Sequence, residues 1–257
     1  MADWRGIDLW CAFPGRIADA ALLREYHGLL SETERARQRR LYFERDRHRF
    51  LVTRVLVRMV LSKYAPLEPT QWLFSANRHG RPEIANPEPG ARSIVFNVSH
   101  SMDLIMLGVT RGRALGLDVE GVREQAASLG IAERFFAPDE ARELHAQPAH
   151  HRQRRFFEYW TLKESYIKAR GMGLSIPLDH FSFHFPGDSG IRLAMRADQQ
   201  DWAARWHFWQ FGLERDYLTA VCAESMPGGP PSLSVRTIVP MVSERRQDWR
   251  LLRSTEA

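Results

Sequence analysis

The chain is predicted to be an α/β protein of the α+β kind. Two pseudo-symmetric subdomains each carry a mainly antiparallel sheet packed against a long helix, with an active site in the cleft between them. Three observations predict this. Two long helical patterns, at 46–64 and 152–170, are each preceded by a strand and followed by a pair of strands. The whole order recurs after about 110 residues, the mark of a duplicated unit. And 257 residues that are 44% hydrophobic can bury a core of this size.

In the first half, 6–13 (GIDLWCAF) reads as the opening strand and 20–30 as a helix. Ser31 with Glu34 three residues on forms a capping box that starts an Arg-rich helix. The next helix, 46–64, carries Phe50, Val52, Val55, Leu56, Met59 and Val60 at helical spacing and ends before Pro66. The span 72–92, punctuated by Gly80, Pro82, Pro87, Pro89 and Gly90, is strand and loop. The segments 94–98 and 104–110 form a strand pair joined around 99–103.

The second half repeats the plan. Leu115-Gly116-Leu117-Asp118-Val119 echoes Gly6-Ile7-Asp8-Leu9, and Phe135-Phe136-Ala137-Pro138-Asp139-Glu140 echoes Leu29-Leu30-Ser31-Glu32. The helix at 152–170 matches that at 46–64, and strands follow at 204–211 and 217–223 around a turn at 214–216. The subdomains are therefore expected at 1–112 and 113–225. The tail 226–257, opening with Pro227, Gly228, Gly229, Pro230 and Pro231, reads as a linker and a loosely packed extension.

A net charge of +5 favours an acidic partner: nucleic acid, an anionic cofactor or an acidic protein. The densest basic run is 35–40, continued by Arg45, Arg47, His48 and Arg49. Cys11 and Cys222 match no metal or redox spacing, so two reduced thiols in a cytoplasmic protein are expected. The first residues, Met1 to Arg5, lack the apolar core of a leader, and Arg54 and Arg58 interrupt the apolar run at 50–60, so neither signal peptide nor membrane span is expected.

The chemistry concentrates at 156–168, FFEYWTLKESYIK. Steps of four along a helix return to one face, so Phe156, Trp160, Glu164 and Lys168 form a single stripe. A structural Glu/Lys pair on a core helix would use the same spacing. However, Lys63, Lys163 and Lys168 are the chain's three lysines among 36 basic residues, so two fall in this segment, where a compact ammonium can approach a phosphate. Asp118 and Glu120, two apart on the strand opening the second half, project from one face while Leu117 and Val119 point into the core. Unless they are solvated at a strand end, these carboxylates need a compensating cation, and oxygen-only ligation points to Mg²⁺ or a similar hard ion, with Glu164 a third donor if the helix packs alongside. Phe96-Asn97-Val98-Ser99-His100-Ser101 adds hydroxyls and an imidazole at a strand end, and Gly80-Arg81-Pro82 a cation on a tight loop.

Leu115-Gly116-Leu117-Asp118-Val119-Glu120, followed some forty residues later by Trp160-Thr161-Leu162-Lys163-Glu164-Ser165-Tyr166-Ile167-Lys168, resembles the two-part signature of the 4′-phosphopantetheinyl transferases. Asn97-Val98-Ser99-His100-Ser101 and Gly80-Arg81-Pro82 resemble further motifs of the longer, surfactin-synthetase-activating (Sfp) type. The likeness runs from about residue 25 to 223, and the order and spacing of the motifs together are specific.

The resemblance implies transfer of the phosphopantetheine arm of coenzyme A to a serine of apo acyl or peptidyl carrier proteins, releasing adenosine 3′,5′-bisphosphate. It implies that Asp118, Glu120 and Glu164 hold Mg²⁺ on the pyrophosphate, with Asp118, Glu164 and Lys168 the catalytic set. Lys168 would neutralise phosphate charge, Ser99 and His100 would contact the nucleotide phosphates, and Arg37, Arg49 and Arg81 fall where the family binds the 3′-phosphate and adenine side of coenzyme A. Lys163 belongs to the same coenzyme-contacting motif. Two positions depart from the pattern: Glu34 stands where family members can carry a phosphate-binding Lys, and Phe50 where Thr is common. A fused pair supplies its own second half, so a monomer is expected. The rival readings are a non-catalytic coenzyme A or carrier-binding module, against which the intact acids and Lys168 argue, and a nucleic-acid binder, for which no motif is present.

Overall fold

The computed structural model describes residues 6–122, 129–196, 201–214 and 216–255; of Leu174 only the backbone is described. The opening residues 1–5, read above as carrying no leader, and Arg215 within the expected 214–216 turn lie outside the described residues.

The first half begins with β1 (Ile7–Ala12), α1 (Ala20–Leu29), α2 (Glu32–Arg39) and α3 (Glu44–Leu61). It continues through a small hairpin, β2 (Phe74–Ala76) and β3 (Pro82–Ile84), then α4 (Pro89–Arg92), β4 (Ile94–Ser101) and β5 (Leu104–Arg111). The second half contains β6 (Leu115–Gly121), α5 (Leu129–Phe135), α6 (Pro138–Ala146), α7 (Ala149–Arg170), β7 (Phe181–His184), β8 (Gly190–Met195), β9 (Trp206–Leu213) and β10 (Tyr217–Glu224). The tail adds β11 (Leu233–Val239), β12 (Ser243–Arg246) and β13 (Trp249–Thr255). The expected box caps α2: Ser31 Oγ accepts from Glu34 N, and Ser31 N donates to the Glu34 carboxylate.

The duplication is visible in the sheets. One has the order β12-β11-β1-β5-β4, the other β6-β10-β9-β13-β8-β7. β1 pairs antiparallel with β5 and β5 with β4, just as β6 pairs with β10 and β10 with β9. Alternation sorts each strand's side chains between layers. Trp10 and Ala12 pack under α1 and α3, whereas Ile7, Leu9 and Cys11 pack against Leu117, Val119, Phe211 and Val221 of the second sheet. Beyond that sheet, Leu218, Ala220 and Cys222 of β10 meet Phe157, Leu162 and Tyr166 of α7. The layers thus run helix, sheet, sheet, helix.

Two readings need correction. The tail is no loosely packed extension: β11 lies parallel to β1 in the first sheet, and β13 inserts between β9 and β8 in the second. The tail thereby laces the two halves together, its alternating Leu233, Val235 and Thr237 satisfying a strand pattern that follows the Pro/Gly turn. Residues 99–101 are also strand rather than turn; only Met102 and Asp103 reverse the chain, Met102 at a left-handed φ of 50°.

Candidate active site

The two sheets meet at β4 and β6, and the joint is made by side chains. Asn97 Oδ1, Ser99 Oγ and Ser101 Oγ, alternate residues on one face of β4, accept hydrogen bonds from the backbone N–H groups of Leu117, Val119 and Gly121 at 3.0, 3.4 and 3.1 Å. A strand edge that would otherwise present unpaired donors is thereby satisfied rung by rung. The same hydroxyls donate onward: Ser99 to Asp118 Oδ1 and Ser101 to Glu120 Oε2, both at 2.9 Å.

Asp118 and Glu120 lie on the face of β6 opposite Leu115, Leu117 and Val119, and that face is covered by α7. The approach is close because residue 116 is glycine: a Cβ there would run into Ser165 O and Ala169 N of the helix. The α7 stripe meets the acids in order: the Trp160 indole lies beside Glu120 and works against the rise of its carboxyl, and Lys168 Nζ is 2.6 Å from Asp118 Oδ1 and 2.9 Å from Ser99 Oγ. The ion pair is therefore Lys168–Asp118 between helix and strand, rather than an i,i+4 pair of Glu164 with Lys168.

The electrostatics follow from burial. Asp118 is buried, not solvated, and burial pushes its carboxyl up against the opposing pull of Lys168 and Ser99. Its Oδ2 is enclosed without a hydrogen-bond partner. Burial and the Asp118 charge push Glu120 up to about 7, and the same two causes raise Glu164. Three carboxylates, two of them raised by the charge of the third, form an oxygen-only donor set suited to a hard cation. In the present arrangement Lys168 supplies the countercharge on Asp118, and no group of three His, Cys, Asp or Glu side chains is gathered closely enough to hold a metal among the described residues.

On the first-half side, His100 lies on β4 beyond Ser99, its imidazole held below the ordinary range by burial and by the charges of Arg49 and Lys168. Arg49 is bonded to Asp46 at 2.9 Å, and Arg37 is exposed with its guanidinium 5.9 Å from the Phe50 ring. Glu34, in the place of a phosphate-binding Lys, instead receives Arg54 at 2.7 Å and Arg58 at 2.8 Å.

Two of the expected coenzyme contacts are otherwise engaged. Lys163 is fully buried in the second core, where Nζ meets the Glu140 carboxylate at 2.7 Å and donates to the carbonyls of Leu178 and Phe181. It has no path to the acids, a correction that the helical spacing already carries, since residue 163 stands off the 160/164/168 stripe. Arg81 donates to the carbonyls of Lys168, Ala169, Leu115 and Phe96, pinning the end of α7 to both β4 and β6. Its loop is held in turn by Asn77, which accepts from Arg81 N and donates to Gly171 O. Gly171 itself ends α7 at a left-handed φ of 64°. The roles of Asn97, Ser101 and Trp160 were not assigned from sequence, although their alternate or fourfold spacing beside the acids was visible.

Two family models match the chain in tandem: "4′-phosphopantetheinyl transferase, N-terminal" over residues 20–111 and "4′-phosphopantetheinyl transferase superfamily" over residues 114–222. The chain is 32% identical over 198 residues to the 4′-phosphopantetheinyl transferase Sfp of Bacillus subtilis strain 168, spanning 77% of this chain and 84% of that one. A further Bacillus subtilis 4′-phosphopantetheinyl transferase is 31% identical over 194 residues, or 76% and 82% of the two chains. The 4′-phosphopantetheinyl transferase HetI of Nostoc sp. is 37% identical over 153 residues, covering 60% of this chain and 64% of its own length. With both halves matched and the acids, Lys168 and the β4 hydroxyls joined at one seam, the chain belongs to the 4′-phosphopantetheinyl transferase family, in its longer, Sfp-type form.

Proposed function

We propose that this enzyme transfers the 4′-phosphopantetheine arm of coenzyme A to a serine hydroxyl of apo acyl or peptidyl carrier proteins, with Mg²⁺ as cofactor, and releases adenosine 3′,5′-bisphosphate. The observation that supports this most is Asp118, whose Oδ1 is held by Lys168 and Ser99 while Oδ2 is buried and unpartnered beside two further acids. Asp118, Glu120 and Glu164 would hold the ion. When bound, such an ion neutralises charge on the pyrophosphate oxygens.

In the reaction, the serine Oγ forms a bond to the phosphorus that carries pantetheine, and the bond from that phosphorus to the bridging oxygen breaks. The leaving group is adenosine 3′,5′-bisphosphate. Phosphoryl transfer of this kind depends on alignment and charge neutralisation more than on covalent help. Lys168 carries positive charge to the bridging and α-phosphate oxygens, and Glu164, made more basic by burial and Asp118, takes the serine proton directly or through a water. Ser99 and His100 contact the nucleotide phosphates. Arg37 and Arg49 receive the 3′-phosphate and adenine side, while Arg81 holds its loop to the end of α7.

The two halves, 1–112 and 113–225, act as one monomer on coenzyme A and the carrier. Cys11 and Cys222, both free and buried, accord with the cytoplasm. No helix among the described residues is long and apolar enough to cross a membrane. Incubation with coenzyme A and apo carriers, with and without EDTA, tests the proposal by chromatography: adenosine 3′,5′-bisphosphate should appear only with carrier and divalent ion present. Binding of coenzyme A without any such product would favour a non-catalytic binding module.

A further inference from the structure

We propose that Ser101 and Trp160 are positioning residues for Glu120, fixing its carboxylate from two sides so that it faces a divalent cation. The inference rests on the cation reading of the site given above.

Ser101 Oγ accepts from Gly121 N at 3.1 Å and donates to Glu120 Oε2 at 2.9 Å. With the backbone N–H already occupying one side of the oxygen, the hydroxyl proton is directed to the carboxylate. Ser101 is buried and comes from β4, in the other half of the molecule, so the aim of Glu120 depends on the register of the seam. From α7 comes the Trp160 indole, a donor only, near enough to Glu120 to favour its ionised form. Its ring is fixed by stacking, 5.9 Å from Phe156 at 13° and 6.5 Å from Phe136 at 26°. Asp118 is treated differently, because one of its oxygens is taken by the Lys168 ammonium. Ser101 and Trp160 are both neutral, so the carboxylate is oriented while its charge stays available to an incoming cation. Outer partners of this kind hold metal-ligating carboxylates in aim.

The test is calorimetric titration of Mn²⁺ into EDTA-stripped wild type, Ser101→Ala and Trp160→Phe, the last of which keeps a stacking ring and removes only the N–H. Each variant should melt cooperatively and retain coenzyme A in the absence of metal. Each should bind Mn²⁺ roughly 10–100-fold more weakly, and turnover should recover as Mg²⁺ is raised in proportion. Wild-type Mn²⁺ affinity in both variants, or a loss of turnover that Mg²⁺ does not restore, would overturn the positioning role and leave the cation reading standing. If wild type itself binds no Mn²⁺, the cation reading falls and this inference with it. Should Ser101→Ala fail to fold, Trp160→Phe decides alone.

Discussion

Lys168 Nζ stands 2.6 Å from Asp118 Oδ1 and 2.9 Å from Ser99 Oγ, so one ammonium touches α7, β6 and β4 at the point where the two halves join. A surface helix pair of Glu and Lys is worth at most about 0.5 kcal/mol, but this contact ties a buried acid across a seam. Lys168→Ala is therefore expected to slow the chemical step more than it weakens coenzyme A binding, because its charge matters most as the leaving group develops its own. Single-turnover rates compared with coenzyme A affinities check this; equal losses in both would remove the special role.

Asp118 gives a prediction of opposite sign for stability and activity. Its carboxyl is raised by burial, so in the folded protein ionisation is disfavoured relative to the unfolded chain, and stability falls as pH rises past the unfolded value. Asp118→Asn should thus abolish turnover while the melting temperature holds or rises at neutral pH. Full turnover by this variant in EDTA would sink the role of Asp118 in holding a cation.

Glu34 is expected to be structural. Burial opposes its ionisation, but the Ser31 N–H, Arg54 and Arg58 outweigh it and the carboxyl is held low. The stabilisation is present above the ordinary carboxylate range and is lost as pH falls through the lowered value. Removing the acid strands Arg58, which is buried, so Glu34→Ala should cost about 3–5 kcal/mol in denaturant unfolding. Glu34→Lys, which restores the residue other family members can carry, should unfold the protein rather than improve its grip on phosphate. The acid-side slope of stability with pH should flatten in Glu34→Gln.

Arg37 and Arg81 separate two kinds of basic residue. Arg37 is exposed, so Arg37→Ala should raise the KM for coenzyme A by roughly 1.5–3 kcal/mol of lost charged hydrogen bonding and leave the melting temperature unchanged. Arg81 binds four backbone carbonyls across the seam, so Arg81→Ala should instead lower the melting temperature. Dephospho-coenzyme A is the control. If Arg37 reads the 3′-phosphate, wild type and Arg37→Ala should converge on this substrate.

Much of this was legible in the sequence because local patterns set it. The Ser31/Glu34 box, the alternation in 115–121, the fourfold stripe of α7 and the paired strands after each long helix depend on near neighbours, and the structure keeps them. What escaped depends on distant partners. Lys163 looked available as an ammonium until Glu140 of α6 enclosed it, and Arg81 looked like a loop cation until the end of α7 supplied carbonyls. The strands of the tail were masked by the Pro/Gly run before them, and β13 finds its neighbours β8 and β9 only through the fold. Ser101 sat inside a recognised motif, yet its bond to Glu120 exists only because two separate sheets abut.

The central claim, group transfer from coenzyme A to a carrier serine through the acids at the β4–β6 seam, is tested most directly by intact mass measurement of apo carrier proteins after incubation with this enzyme, coenzyme A and Mg²⁺. The predicted result is a gain of one phosphopantetheine per carrier, located on a serine, absent with EDTA and absent with Asp118→Asn. Carriers left at their apo mass by an enzyme that binds coenzyme A and Mn²⁺, across acyl and peptidyl types alike, would contradict it.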